Sequence, residues 1–326
     1  MAASYPDVGD VHVNAALTQV SIGFGNKNYI ADTLFPIVYV DKQSDIYPKF
    51  DKSYWFRDEA QVRAPGAWAE VTGWKYDTSN TFFAQNYAIG HEIPDERRAN
   101  ADGWARQDRD ATRLVTDKQY LRREVYWASN FFATSKWTTD KTGGSNFTKF
   151  SDYGASSPIQ VTRGYIRAVR QLVGMRPNVW VMGEFGFDVL ADHPDFIERI
   201  KGAASPGSPA VVTPQLLASV LRLDRIVIGD AMQTTSKEGP AEASQTYADI
   251  FDDDSLLMYV PDSASLETPA GGYTFIWSSA VGGNTPQFIR RLRDDRGKKD
   301  VIESHSYWDM KITCADAGLF MSDMVD

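Results

Sequence analysis

The sequence is short of the residues from which most enzyme chemistry is built. It holds one cysteine, Cys314, and four histidines, His12, His91, His193 and His305. A single thiol excludes an internal disulfide and any cysteine metal cluster, and it fits a reducing compartment. Histidines this few, in unrelated segments, leave little for a His-based metal centre. His91-Glu92 opens the zinc pattern His-Glu-x-x-His, but Asp95 stands where the second His belongs, and Pro94 breaks the required helix. There is no Gly-x-Ser-x-Gly elbow and no Gly-x-Gly-x-x-Gly turn. Gly23-Phe24-Gly25-Asn26-Lys27 lacks the spacing, the preceding buried strand and the following Ser/Thr of a phosphate loop. Asp252-Asp253-Asp254 lacks the calcium-loop spacing and reads as a solvated turn. No catalytic residue, cofactor-binding residue or metal ligand is assigned, and no cofactor is expected.

Other absences narrow the class further. No run reaches the ~18 apolar residues of a membrane helix, and Met1 to Val13 lacks the basic-then-apolar order of a signal peptide. Positive charge is in deficit: 34 Lys and Arg stand against 43 Asp and Glu, a net charge of −9. That argues against a surface gripping nucleic acid as a whole, while leaving room for a local basic strip.

Aromatic residues, in contrast, are plentiful: nine Trp, fifteen Tyr and seventeen Phe. Many lie where no core is close by. Ile46–Phe56 and Glu70–Ile89 read as two β-like arms around a polar bend at Arg63-Ala64-Pro65-Gly66, Pro-Gly being a strong turn signal. Trp55, Phe56, Trp68, Trp74 and Tyr76 lie along this excursion among charged residues. A two-stranded ribbon buries little within itself. These rings therefore need either the body of their own chain or a neighbouring subunit, and aromatic anchors are what subunit interfaces favour. They are the candidate interface residues.

The longest regular element follows. Asp102 to Ala133 is free of proline, and after Gly103 of glycine, and reads as one helix capped at Asp102. Leu114, Leu121, Val125, Ala128 and Phe132 define its expected apolar stripe, with Arg109, Arg113, Asp117, Arg122, Arg123 and Glu124 filling the other face. Such a helix is a spine across which other elements lie. On its N-terminal side, residues 1–28 read as an arm. Ile30–Val40 reads as an extended apolar segment that Pro36 relegates to a sheet edge. Asp95 to Asn100 is a polar lead-in after Pro94, and Thr138 to Pro158 is a loop by composition.

The middle third alternates helices and strands. Val161–Val173 is helical by spacing, Val179–Met182 is a buried-type strand, and Phe187–Lys201 is a helix pair broken at His193-Pro194. A helix capped by Thr213 and opened by Pro214 precedes a strand over Asp224–Gly229. Gln233–Thr246 is a polar loop, and Ser255–Val260 and Tyr273–Trp277 are strands. Charged strands follow Phe288 and end in an amphipathic one, Tyr307–Cys314. The fold class expected is α+β.

The order of these parts resembles the major capsid proteins of tailed bacteriophages. The resemblance rests on Asp32-Thr33-Leu34-Phe35-Pro36, on Ile93-Pro94-Asp95-Glu96 before the spine, and on Thr213–Ala231, Asp249–Pro261 and Gly271–Trp277. It covers nearly the whole chain and implies the Hong Kong ninety-seven-type capsid fold. It implies an N-terminal arm over 1–40, an extended loop hairpin over 41–92 and a peripheral domain with the spine helix over 93–175. An axial domain over 176–285 and C-terminal strands over 286–326 complete it. The function implied is a self-assembling subunit of an icosahedral shell around double-stranded DNA, without sequence-specific binding and without catalysis. The implied partners are further copies in pentamers and hexamers, a separate scaffolding protein, a portal and a decoration protein. The implied place is the virion capsid, assembled in the host bacterial cytoplasm. Two rival readings remain. One is an α/β hydrolase or transferase with a pocket holding His91, His193 or His305 beside carboxylates. The other is a different virion structural subunit, which the long helix disfavours.

Overall fold

The computed structural model describes residues 29–47, 56–73, 77, 79–101, 107–201, 212–236, 239, 244–264, 269–281 and 283–326. The expected arm over 1–28, Trp55, Trp74, Tyr76, the helix start at Asp102 and Ala203–Pro209, whose Gly, Pro and Ser read as a linker, lie outside these residues.

The chain opens with a single helical turn, α1 (Ala31–Leu34), and then strand β1 (Ile37–Val40). The extended reading of Ile30–Val40 therefore holds only after Pro36. β1 does sit at the end of its sheet, pairing with one strand alone, as the proline requires. Short strands β2 (Ser44–Ile46) and β3 (Thr81–Phe83) pair at the base of the excursion. Among the described residues between them no longer ladder forms, and residues 70–73 of the expected second arm are not in a strand. The second arm's end, β4 (Gln85–Pro94), belongs to the main sheet instead. A short helix, α2 (Asp95–Ala99), replaces the expected polar lead-in.

The spine helix α3 is described over Gln107–Phe131. Its buried face differs from the expected stripe. Ala111, Val115, Gln119, Arg123, Trp127 and Phe131 are buried in successive steps of four. Each such step overshoots a full turn by about 40°, so the buried face winds around the helix. It begins against β4 and ends in the central core. Ala128 and Phe132 are buried as expected, but Leu114 is 43% exposed, and Arg123 and Glu124, expected outside, are fully inside.

The polar stretch after the spine contains a strand, β5 (Thr139–Thr142). It pairs in parallel with the C-terminal strand, and ladder bonds come from the backbone whatever the side chains. Then come α4 (Pro158–Val173), β6 (Val179–Gly183), α5 (Glu184–Ala191), α6 (Pro194–Lys201), α7 (Pro214–Leu221) and β7 (Arg225–Gly229). The Thr213 side chain accepts the Leu216 N–H, capping α7 as its sequence predicts. α4 ends at Gly174, whose φ of 83° closes the helix in the left-handed region. A small ribbon, β8 (Met232–Thr234) with β9 (Tyr247–Asp249), precedes β10 (Ser255–Met258) and β11 (Gly272–Trp277). A turn of helix α8 (Ser278–Val281), a long hairpin of β12 (Phe288–Asp294) and β13 (Lys299–Ile312), and β14 (Gly318–Ser322) finish the chain.

Two five-stranded sheets organise these elements. In the first, β13 pairs with β4 over Lys299–Trp308, with β12 over Lys299–His305 and with β11 over Trp308–Ile312. The second runs β5-β14-β10-β6-β7. β6 reads Val-Trp-Val-Met and is buried on both faces, as continuous apolar runs are in covered sheets. Val179 and Val181 face a core shared with Trp127, Phe131, Phe132, Phe35 and Trp308. Trp180 and Met182 face another core, under α4 to α7, with Val169, Leu190, Phe196 and Leu217. The spine thus closes the first sheet on one side and locks it to the second.

Candidate assembly interface and its anchor

The excursion is where the sequence places its interface residues. At its bend the Ala67 N–H donates to Ala64 O at 3.1 Å, and Gly66 takes a φ of 84°, which a residue with a side chain resists. Around this bend Val62, Trp68 and Val71 are 103%, 97% and 89% exposed. Single exposed apolar side chains are ordinary; several together on one projecting segment mark a surface that binds something. Covering about 150 Å² of one such indole, at ~25 cal/mol per Å², is worth on the order of 4 kcal/mol.

The five candidate residues divide. Trp68, at 97%, is almost wholly exposed. Phe56 is 65% exposed, yet its ring lies over Gly174 at the end of α4, where a Cβ would collide with it. Trp55, Trp74 and Tyr76 lie outside the described residues. At the base, by contrast, the aromatic demand is met inside the chain. Phe82 stacks on Phe275 at 4.5 Å, and Tyr47 joins the same small core with Tyr273.

Holding the base in place is a buried polar knot on the spine helix. Glu124 Oε2 accepts from the Ile30 and Ala31 N–H groups at 3.1 and 2.9 Å, and Oε1 accepts from Ile30 at 3.0 Å. These are donors that α1 leaves without partners. Burial pushes the Glu124 carboxyl up to about 7, against the pull of those two N–H groups. Arg123 beside it donates to Asp32 at 2.8 Å, to Pro286 O at 2.7 Å and to Ser306 Oγ at 3.0 Å. Gln119, a turn earlier, donates to Tyr87 O at 2.8 Å and Ser304 O at 3.0 Å, joining β4 to β13. Nothing in the helical pattern announced this knot. A charged residue counts as outward-facing on a periodicity argument, and its partners lie up to 183 positions away in sequence.

A second charged network lies outside. Asp300, 6% exposed, receives Arg291 at 2.7 Å and Arg98 at 2.9 Å, while Arg293 holds Asp95 at 2.6 Å. The Arg291 guanidinium holds the Asp300 carboxyl below the usual carboxylate range.

His193 and His305, two of the histidines the enzyme reading names, have partners within the chain. His193 is 1% exposed and Ser156 is 8% exposed, 2.9 Å apart through Nε2 and Oγ. The Asp195 N–H donates to His193 Nδ1 at 3.1 Å, which leaves the ring proton on Nε2, pointing at Ser156. Ser156 in turn donates to Asp152 O at 2.6 Å. A protonated Nε2 takes no proton from a serine, so the pair caps α6 and does not form a nucleophile. Burial also holds the His193 pKa below its ordinary value. His305 contacts Glu303 at 3.1 Å and stacks on Phe288. One cleft of about 410 Å³ lies between Tyr87, Arg122, Tyr126, Trp308, Asp309 and Lys311; another of about 460 Å³ lies by Lys149 and Asp326. Neither is lined by a histidine. Among the described residues no group of three or more His, Cys, Asp and Glu is placed to hold a metal ion, and no helix is long and apolar enough to cross a membrane.

Comparison with known proteins gives this arrangement its context. No family model matches the chain. It is 26% identical over 315 residues to the major capsid protein of Burkholderia phage BcepMu, covering 95% of this chain and 96% of that one. It is 26% identical over 229 residues to the major capsid protein of Pseudomonas phage JBD67, covering 70% and 71%. A phage-related protein from Bordetella bronchiseptica RB50 shares the fold with a TM-score of 0.69 at 18% identity, over 96% and 97% of the two chains. The capsid of cyanophage P-SCSP1u shares it with a TM-score of 0.56 at 11% identity, over 92% and 89%. Matched along its length by sequence and sharing the fold of a solved capsid, the chain is a relative of the phage major capsid proteins.

Proposed function

We propose that this chain is the structural subunit of an icosahedral phage capsid. The observation that carries the reading is the bend at residues 62–71, whose Val62, Trp68 and Val71 side chains stand exposed, set on a body whose buried Arg123 is tied down. A ring of identical copies supplies the missing cover, since a head-to-tail contact closes when its rotation permits. Many modest contacts per copy then make loss of one subunit very unfavourable.

In this reading residues 41–92 reach onto a neighbour, and Trp55, Phe56, Trp68, Trp74 and Tyr76 are its anchors. Residues 93–175 form a peripheral domain around the spine, 176–285 an axial domain, and 286–326 return to the periphery. The shell encloses double-stranded DNA without reading its sequence, as a net charge of −9 suits. It assembles in the host cytoplasm with scaffolding, portal and decoration proteins as partners. Work of this kind calls for no active site. Electron microscopy of the purified chain, with and without co-expressed phage proteins, tests the reading: rings or closed particles are expected. A chain that stays monomeric at high concentration with every such partner would refute it.

A further inference from the structure

The second sheet carries unlike charge at its two ends. Arg176 stands before β6 and Arg222 before β7, and because these strands are parallel both lie at one end of the sheet. Arg163 of α4 and Arg199 of α6 join them: the charges that Arg163 feels are those of Arg199, Arg222 and Arg176. Burial first, and then this repulsion, pushes the Arg163 guanidinium below its usual range. Arg163 and Arg176 donate to Val220 O and Leu221 O, each at 2.7 Å, serving the carbonyls at the end of α7. Among the described residues none of the four meets a carboxylate within ion-pair distance. Residues 202–211, between α6 and α7, contain no Asp or Glu to supply one. In a chain with 43 acidic and 34 basic residues, four arginines are thus gathered without a counter-charge among the described residues.

At the far end stand the complementary groups. β10 runs antiparallel to β6 with Ser255 opposite Met182, so Asp252, Asp253 and Asp254 lie beyond the C-terminal end of β6. Asp323 follows β14 to the same end, and its N–H donates to Asp254 Oδ1 at 2.8 Å. These aspartates are not the freely solvated turn expected from sequence. Asp252 is exposed, Asp253 and Asp254 are half-buried, and burial followed by the neighbouring carboxylates pushes Asp254 up to about 6. Lys149, bonded to Asp323 at 2.7 Å, is the cation beside them. Five residues of β6 at ~3.3 Å each separate the two ends by about 17 Å.

We propose that the arginine cluster Arg163, Arg176, Arg199 and Arg222 of one copy receives the acidic end, Asp252–Asp254, of a second copy. This rests on the reading of the chain as a ring-forming subunit. The contact is head-to-tail, so every copy offers one end and accepts the other, and the series closes into a ring. Guanidinium forks match carboxylates in pairs, which fixes orientation as well as attraction. A carboxylate partner fits better than the phosphates of a nucleic acid. The arginines converge from separate elements on one spot and form no strip along a strand, and their complement stands on the same sheet at the opposite end.

The test reverses the exposed arginines that serve no carbonyl. Arg199→Glu with Arg222→Glu, and separately Asp252→Lys with Asp253→Lys, are each expected to raise the concentration needed for ring formation by about tenfold or more. A chain carrying both pairs has its polarity inverted and is expected to recover assembly to within about threefold of the parent. The two singly reversed chains, mixed, are expected to associate with each other although neither does so alone, and to give only even-membered rings. Circular dichroism melts confirm folding; Arg199→Gln with Arg222→Gln, or Asp252→Asn with Asp253→Asn, replaces the corresponding reversed chain if it does not fold. Parent-like assembly of both reversed chains overturns the proposal. So does failure of the folded, doubly reversed chain to recover. Normal rings combined with lost binding to duplex DNA would assign the cluster to phosphate and overturn it as well. A parent chain that forms no ring refutes the shell reading itself, a result distinct from all of these.

Discussion

The spine helix and the bend of the excursion both carry side chains at odds with where simple patterning puts them, in opposite senses. On the spine, Arg123 and Glu124 are charged and fully buried, and every segment they touch is a distant one: α1, Pro286 and β13. At the bend, Val62, Trp68 and Val71 are apolar and fully in solvent. The first misfit is resolved within the chain, by hydrogen bonds. The second is unresolved within the chain, and a neighbour would resolve it. Buried charge here fixes which segments meet, while exposed apolar surface leaves a demand that further copies answer.

The comparison breaks most readily at Arg123. Arg123→Ala removes the fully buried partner of the Asp32 pair, leaves Asp32 without its donor and leaves Pro286 O with Ser306 Oγ alone. It is expected to lower subunit stability by about 3–5 kcal/mol in urea unfolding. A loss below about 1 kcal/mol would show that the knot is incidental.

Glu124 gives the next largest effect, and it depends on pH. The folded state holds this carboxyl at about 7, above its ordinary value of 4.5, so the folded chain keeps a proton that the unfolded chain has released. Stability from this group is full below the unfolded pKa and is lost as pH rises through about 7. The expected loss is roughly 3 kcal/mol. One oxygen, Oε2, already receives both N–H groups, so Glu124→Gln keeps those bonds without a titrating proton. Its unfolding free energy, compared with the parent from pH 5 to 8, should lack this slope. Parallel curves would assign the slope elsewhere.

Trp68→Ala sharpens the other side of the comparison. With the indole 97% exposed, subunit stability should move by less than about 0.5 kcal/mol. Assembly should weaken by about 2 kcal/mol per contact, as a lost aromatic anchor does. Unfolding and assembly measured on the same preparation separate the two. A melt that falls with assembly would place Trp68 in the core.

The smallest effect is local. His193→Ala deletes the side-chain cap of α6 and is expected to cost about 1 kcal/mol. His193→Asn, which keeps an acceptor near the Asp195 N–H, should restore part of it. Equal losses in both variants would mean that burial of the imidazole, not capping, holds that corner.

The sequence was most legible where a local rule set the local structure. Thr213-Pro214 opened α7, Pro36 held β1 at a sheet edge, and His193-Pro194 divided α5 from α6, because caps and prolines act over a few residues. The spine was legible as an element but not in its buried face. A fixed stripe through Leu114 and Leu121 presumes one partner surface, whereas this helix passes from one sheet to a core shared with another and turns its buried side accordingly. β5 was missed because Thr139–Thr142 is polar and its ladder partner stands some 180 residues away. Of the candidate interface, Trp68 is exposed, while Phe56 lies partly on its own chain, a division no pattern of aromatics encodes.

By itself the sequence determined the kinds of element, their order, and the absence of ligand-bearing motifs, since composition, caps and spacing act locally. Tertiary structure alone decided which charges go inside and which apolar rings stay out. A buried guanidinium is tolerable only where Asp32, Pro286 and Ser306 converge on it, and that convergence exists only once segments far apart in the chain have been brought together.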